Sequence, residues 1–492
     1  MRKEILRMEH VTYCENEKTL LQDFDLNIFE GEIMGLLPIG ANGLLALLKV
    51  LHEYPPLYHG YLYYRDTLVD SWVSERHMKN RISIIGDISS LVDGQSVLTN
   101  VMVLRSGFRQ HLLNERFLLK QMAPFLEETG ISINPYTMVE KLTPFERIVV
   151  EMLRAVVADN RLIVMKEIST IISDSEMNRL YELMRHYAKK GFSFLYISPH
   201  HEELAVICDR IALMLDKRVV KILQGREMVE NAIRHCSEEY TMKVQNRLNQ
   251  RNGKPRKAFF EVWNLTGQYL RKLDFSVREG ECLAIQCLEQ KISRELLQIL
   301  LLSQIPDVGE LYMDGERVDN IMDRRIAVIM EKPWESMIFP HMSVLDNLCI
   351  CMDHRVPEVW HSAKVRANLR KMLEEHMGKD ICERKISELT VQQKSELVYT
   401  RVLLQKPRIV FCIQPFKGED LAHRVLIWEL QKRLLDRGIA VVIMAVNMAD
   451  ALSLADRVIR IDNDTKVYEY ERPDFKKLPS TVPWYSLYQS LE

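Results

Sequence analysis

Apolar and polar positions along the chain fall into two kinds of run, which follow one another in a fixed order. Segments such as LLQDFDLNIF (20–29) and LRKLDFSV (270–277) place apolar residues at alternate positions, the period of a strand with one covered face. Each leads into a short continuous apolar run, IMGLLP (33–38) or CLAI (282–285), of the kind found in strands buried on both faces. Three more such runs follow in each half: RLIVM, GFSFLYIS and IALML in the first, RIVFC, IAVVIMAV and VIRI in the second. Helical spacing fills the stretches between them. Buried strands separated by helices predict a largely parallel sheet covered on both faces, so each half reads as α/β. The alternating segments add a small antiparallel β region, and the helix-rich middle of each half a helical subdomain.

The two halves are copies of one another. Gly31-Glu32 recurs as Gly280-Glu281, 249 residues on. Ser96-Val97…Asn100, Leu142-Thr143, the strand at Leu162 and Asp209-Arg210 recur at Ser343-Val344…Asn347, Leu389-Thr390, Ile409 and Asp456-Arg457, each 247 residues on. A period this long is a tandem domain duplication rather than a solenoid. The polar, basic stretch 245–257, with Gly253 and Pro255, is the expected linker between a first domain over 1–244 and a second over 258–492. Its charge reads as solvation.

Composition and charge narrow this picture. With 47% hydrophobic and 27% charged residues, the 492-residue chain has ample material for two large cores. A net charge of −2 gives no basic field for nucleic acid or an anionic membrane. Glycine is scarce, 19 residues against the roughly 34 that average usage of about 7% would give. The nine cysteines include no CxxC pair and read as reduced core thiols of a cytosolic protein, and no metal site is expected. No apolar window approaches the ~18 residues of a membrane span, and the charged N-terminus lacks a signal peptide's apolar core. The 24 methionines read as core filler.

The order of these anchors resembles that of the ATP-binding subunits of ABC importers of the ribose/galactose type, which carry two cassettes in one chain. The resemblance runs from about Met8 to Ile461. It implies two tandem P-loop-type ABC ATPase cassettes, and it assigns the family's functional positions to particular residues. The phosphate loop, G-x-x-x-x-G-K-[ST], cradles phosphates with backbone N–H groups, a Lys and a hydroxyl on Mg²⁺. Its first copy here is PIGANGLL. Pro38 stands for the first glycine and offers no N–H donor. Gly40, Asn42 and Gly43 remain, with Leu44 in place of the Lys and Leu45 in place of the hydroxyl residue. The second copy is CLEQKISR, with Cys287 and Ile292 for the glycines, Ser293 for the Lys and Arg294 for the hydroxyl residue.

The remaining motifs are changed in the same manner. The signature LSGGQ reads LTPFE and LTVQQ, keeping hydroxyls at Thr143 and Thr390 and no glycine. The Asp-Glu pair that ends the family's Walker B strand reads Lys166-Glu167 and Ile413-Gln414. A cation where Mg²⁺ belongs repels the metal. Glu167 is the one vestige of a catalytic base; a local pair with Lys166 or a turn cap is its plainer reading. The Q-loop positions hold Asp87 and Glu331, the switch-histidine positions hold Pro199 and Val446, and Tyr13 is the only aromatic candidate for stacking on adenine. His200 and His201 follow Pro199 and read as surface histidines, and Lys291 and Arg294 as solvated positions at a helix start. The aromatic tail VPWYSLYQSL reads as packing back on the second domain.

Each lost charge-assisted hydrogen bond is worth about 1.5–3 kcal/mol, and every ~1.4 kcal/mol is tenfold in affinity. The expectation is a pseudo-ATPase: neither ATP nor Mg²⁺ bound, with the chain a cytoplasmic, peripheral partner or regulator of a transporter's membrane permease subunits or of a homologous ATPase. Two other expectations stand beside it. One is a working ATPase that binds ATP and Mg²⁺ and energises carbohydrate import; the other is a sensor of another ligand in a pocket made apolar by Leu44 and Leu45.

Overall fold

The protein is described by a computed structural model over residues 3–40, 43–69, 82–104, 114–225, 227–228, 257–287, 290–301, 303–318, 324–350, 352, 362–378, 380–417, 420–446, 448–462 and 466–478. These residues divide into two compact units, one carrying each half. Of the expected linker 245–257, all but the exposed Lys257 lies outside the described residues, as do Asn42 and the aromatic tail.

The first unit opens on a long hairpin, β1 (Glu4–Glu15) and β2 (Lys18–Phe29), followed by the buried β3 (Ile33–Pro38) and helix α1 (Leu44–Glu53). Strands β4 (His59–Tyr64), β5 (Thr67–Leu68) and β6 (Ile82–Ile85) come next. The helical middle holds α2 (Glu115–Thr129) and α3 (Pro144–Val157). Then β7 (Leu162–Lys166), α4 (Asp174–Lys189), β8 (Ser193–Ile197), α5 (His201–Ile207), β9 (Arg210–Leu215) and β10 (Arg218–Gln224) complete the unit. Two sheets form, an antiparallel β2-β1-β4-β5 and a mainly parallel β6-β7-β8-β3-β9-β10.

The second unit repeats this layout. Its elements are β11 (Ala258–Thr266), β12 (Leu273–Arg278), β13 (Cys282–Cys287), α6 (Gln290–Leu300), β14 (Val308–Met313), β15 (Glu316–Arg317) and β16 (Ile326–Ile329). Helices α7 (Pro333–Ser336), α8 (Val344–Cys349), α9 (Ala363–Met377) and α10 (Val391–Gln405) lead to β17 (Ile409–Ile413), α11 (Leu421–Asp436), β18 (Ala440–Ala445), α12 (Ala449–Leu454), β19 (Arg457–Ile461) and β20 (Val467–Glu471). Its sheets, β12-β11-β14-β15 and β16-β17-β18-β13-β19-β20, have the same order as the first pair. All six late apolar runs form strands at the expected places.

The repeated anchors meet in space. Glu32 closes the turn before β3 by accepting the Phe29 N–H at 2.7 Å, and it holds Arg210 through Oε1 at 2.6 Å. Asp209 accepts the Ile33 N–H at 2.9 Å. In the second unit Glu281 accepts from the Arg278 N–H at 2.7 Å and from Arg457 Nε at 2.8 Å, and Asp456 accepts from the Cys282 N–H at 3.0 Å. Gly-Glu and Asp-Arg are therefore the two ends of one lock that seats the central strand. The Asn of each SVxxN segment is fully buried. Asn100 Oδ1 accepts from the Val92 N–H and Asn347 Oδ1 from the Phe339 N–H, both at 2.8 Å, while their amide groups donate to nearby carbonyls.

Candidate functional site

In a doubly covered parallel sheet the natural site lies at the carboxyl ends of the strands, where β3 or β13 hands over to a helix. In the first unit β3 stays in the sheet through Pro38, which pairs with Met214 of β9. The next amide, that of Ile39, donates to the Met214 carbonyl at 2.8 Å. One N–H of the loop is thus committed to the sheet, and proline removes another. Gly40 stands in open space, with nothing within 4 Å of a Cβ built on it. Gly43 is confined: at φ +103° a Cβ there would lie 2.9 Å from the Leu20 carbonyl and 3.2 Å from Lys217 Cα. Close packing against β2 and the β9–β10 turn accounts for its survival. Helix α1 starts at Leu44, which is fully buried with Leu47, Val50 and Leu51 in the core beneath the antiparallel sheet. Leu45 points the other way and is 60% exposed. The two leucines do not share a pocket, which removes the basis for an apolar ligand site built on both.

The second junction is built differently. Only Leu288 and Glu289, outside the described residues, separate β13 from α6, where Ile39 to Gly43 separate β3 from α1. Helix α6 begins at Gln290, three residues before Ser293, whereas α1 begins at the residue matching Ser293. No glycine occurs here to hold a loop open, so the segment winds into helix. The amides of Ser293 and Arg294 fall inside the helical ladder instead of at its open first turn. Ser293 is half-buried and hydrogen-bonds the Cys287 thiol, whose pKa burial pushes up to about 12. Lys291 and Arg294 are exposed.

At the end of β7, Lys166 Nζ lies 3.5 Å from Glu167 Oε1, with both side chains largely buried. Glu167 has a left-handed backbone, φ 54°, fixed by its N–H to the Ile197 carbonyl at 3.0 Å and by Thr170 Oγ1 donating to its carbonyl at 2.8 Å. The matching Gln414 repeats the conformation at φ 42°, its N–H on the Met444 carbonyl at 2.8 Å. Three residues on, Lys417 Nζ pairs with the Q-loop residue Glu331 at 2.7 Å. An ammonium therefore sits on a motif carboxylate in each unit, Glu167 in the first and Glu331 in the second. The sequence pointed to the first pair; the second, joining residues 86 positions apart, has no local signal.

Thr143 and Thr390 use their hydroxyls to cap helices. Thr143 Oγ1 accepts from the Glu146 N–H and Thr390 Oγ1 from the Gln393 N–H, both at 3.2 Å, and the Glu146 and Gln393 side chains return to the cap N–H at 2.8 and 3.0 Å. The T-x-x-E/Q spacing is the sequence signal for this box. Tyr13 is 4% exposed in the hairpin core and presents no open ring face for stacking. His200 and His201 are buried, not surface residues: helix α5, which they open, packs on β3 and β9 and carries both inward. Behind them, fully buried Glu203 accepts from Ser169 Oγ at 3.0 Å, Tyr181 OH at 2.9 Å, Ser198 Oγ at 2.7 Å and the Tyr196 hydroxyl. Desolvation raises its pKa. Sequence reasoning missed this cluster, because the four hydroxyls come from three separate stretches. Among the described residues one group of metal-ligand type occurs, exposed His10, Asp23 and Asp25, and it lies on the β1–β2 hairpin rather than at either junction.

No protein-family model matches the chain. It is 22% identical over 481 residues to the ribose import ATP-binding protein RbsA of Caldanaerobacter subterraneus subsp. tengcongensis, covering 92% of this chain and 94% of that protein. It is also 22% identical over 476 residues to a galactose/methyl galactoside import ATP-binding protein, MglA 1, of Photobacterium profundum (93% and 95%), and 22% over 487 residues to the xylose import ATP-binding protein XylG of Thermoanaerobacter pseudethanolicus (94% and 95%). Among solved structures, the archaeal ribosome recycling factor aABCE1, in complex with the stalk protein aP1, matches 94% of this chain and 89% of its own at TM-score 0.59 and 15% identity. The RNase-L inhibitor matches 94% and 90% at TM-score 0.59 and 14% identity. The fold is that of two tandem ABC-type cassettes, and over nearly its whole length the chain is similar to the ATP-binding subunits of sugar importers.

Proposed function

We propose that this chain is a cassette protein that neither binds nor hydrolyses ATP and serves an import complex as a non-catalytic partner or regulator. The observation that carries this reading is Leu44. At the position where the resemblance calls for a phosphate-binding ammonium, a fully buried aliphatic side chain is part of the core. The residues present do not fit a magnesium triphosphate. The first loop spends its Ile39 N–H on the sheet, and the second is helix from Gln290. The Mg²⁺-side positions hold Lys166 and Ile413, and the retained signature hydroxyls cap their own helices. Neither signature keeps a glycine, the first phosphate loop keeps Gly43 but has Pro38 and Leu44 in place of the first glycine and the Lys, and the second keeps neither motif glycine, so neither unit offers a partner homologue an intact half-site.

The scaffold that remains, duplicated and well packed, suits docking to permease subunits or to a homologous ATPase on the cytoplasmic face of a membrane. Among the described residues no helix is long and apolar enough to cross the bilayer itself. The test is thermal unfolding of the full chain with millimolar MgATP. A ligand bound at 100 Kd stabilises the folded state by about 2.7 kcal/mol. The expected result is an unchanged Tm and no hydrolysis above background; a saturable rise in Tm overturns the reading.

A second reading, an ATP-binding subunit that energises carbohydrate import, draws on the relatives, which are ribose, galactose and xylose import ATP-binding proteins and align over more than nine-tenths of the chain. It requires ATP hydrolysis that is lost in Glu167→Gln.

A further inference from the structure

One corner of the second unit is organised around an anion that belongs to the chain. Glu295, the residue after Arg294 on α6, is 3% exposed. Its Oε1 accepts the Gln268 N–H at 2.6 Å, and its Oε2 accepts the N–H groups of Tyr269 at 2.7 Å and Leu270 at 2.9 Å. The Gln304 side-chain amide reaches Oε1 at 3.3 Å. Three successive backbone amides converging on one carboxylate form a nest, the concavity that backbone N–H groups build for anions. Gly267 opens the turn because nothing larger fits: a Cβ there would lie 2.4 Å from Glu295 Oε1 and 2.8 Å from its Cδ. The turn, the helix and the segment after the helix are all joined through this one carboxylate.

The first unit has no counterpart. Ala46 stands at the matching place on α1, and the β1–β2 turn is tied to that helix by the Lys49 Nζ–Glu15 Oε1 pair at 2.7 Å, with both side chains partly exposed. The nest is thus a property of one copy and not of the shared fold. A buried carboxylate without compensating donors is costly, and short charge-assisted N–H bonds are what make such a site stable.

We propose that residues 267–270 form an anion-binding nest whose resident ligand is the tethered carboxylate of Glu295, so that this corner of the second cassette is ordered with no free ligand and, once vacated, takes up small carboxylates. Chemical rescue of the full chain tests it. In Glu295→Ala the Tm should fall, and formate or acetate should restore it saturably beyond chloride at equal ionic strength, while the unaltered protein shows no carboxylate-specific rise. Equal responses to formate and chloride in the variant overturn the proposal.

If Glu295→Ala does not fold, hydrogen exchange decides. In Glu295→Gln, and independently in Gly267→Ala, the amides of Gln268, Tyr269 and Leu270 should exchange about tenfold or more faster while those of β11 keep their protection. Unchanged exchange at the three amides overturns it equally. None of these readouts involves nucleotide, so their failure leaves the reading of Leu44 untouched.

Discussion

The two strand-to-helix junctions stand at matched places in the two units and are built differently. In the first, the segment keeps its length and its confined Gly43, and Leu44, where the resemblance calls for an ammonium, is part of the core. In the second, the loop itself is gone, because a stretch without glycine extends α6 backwards to Gln290. The comparison teaches that a phosphate cradle depends separately on what projects from the loop and on whether there is a loop. The surrounding lock of Gly-Glu and Asp-Arg holds in both units regardless.

The comparison can be pressed hardest at matched positions. Leu44→Ala should destabilise the chain by about 2–5 kcal/mol in urea unfolding, as a fully buried leucine does, and Ser293→Ala by less than about 1 kcal/mol. Similar costs at the two positions would break the distinction between core and helix surface.

Acid should separate the units next. Burial lowers the His423 pKa to about 4. The folded second unit therefore holds this ring neutral, and the stability it contributes above the unfolded value of 6.5 is lost as pH falls towards 4, roughly 3 kcal/mol at most. Glu203 in the first unit has the opposite sign. Its raised pKa means that the folded state binds its proton more readily, so stability is gained as pH falls through that raised value. Hydrogen exchange at pH 7 and pH 4.5 should show the second unit loosening first, and His423→Gln should remove that acid sensitivity.

Gly43→Ala should cost about 1–3 kcal/mol through its left-handed backbone and the contact with Leu20, whereas Gly40→Ala, in open space, should be neutral within about 0.5 kcal/mol. Smaller losses than at Gly43, about 1 kcal/mol each, are expected for Thr143→Ala and Thr390→Ala. Here the units should agree, since both hydroxyls close the same capping box. Unequal losses would show that one hydroxyl has a duty beyond its helix.

The skeleton was legible in the sequence because its signals are local or periodic. Alternation gave the hairpins, short apolar runs gave the buried strands, and a constant offset gave the duplication. Lys166 beside Glu167 could also be read directly, as neighbours in the chain. What escaped depends on packing between distant segments. Nothing near Glu295 announces that three amides 25–27 residues earlier will close on it, nor does Glu331 announce Lys417. The histidines at 200 and 201 were misread for a related reason: the Pro199 before them suggested a path to the surface, while the direction of α5 was decided by its contacts with β3 and β9.

The left-handed turn shared by Glu167 and Gln414 bears on how far each copy has travelled from its ancestry. That backbone kink persists whether the residue is acidic or neutral. At the first junction five residues, Ile39 to Gly43, separate strand from helix, so installing the family's phosphate-loop residues there is a matter of side-chain exchange. At the second it would demand unwinding a helical turn and inserting glycine, steps that no single replacement accomplishes. Residue replacement alone would rebuild the family's motif at one junction and not at the other.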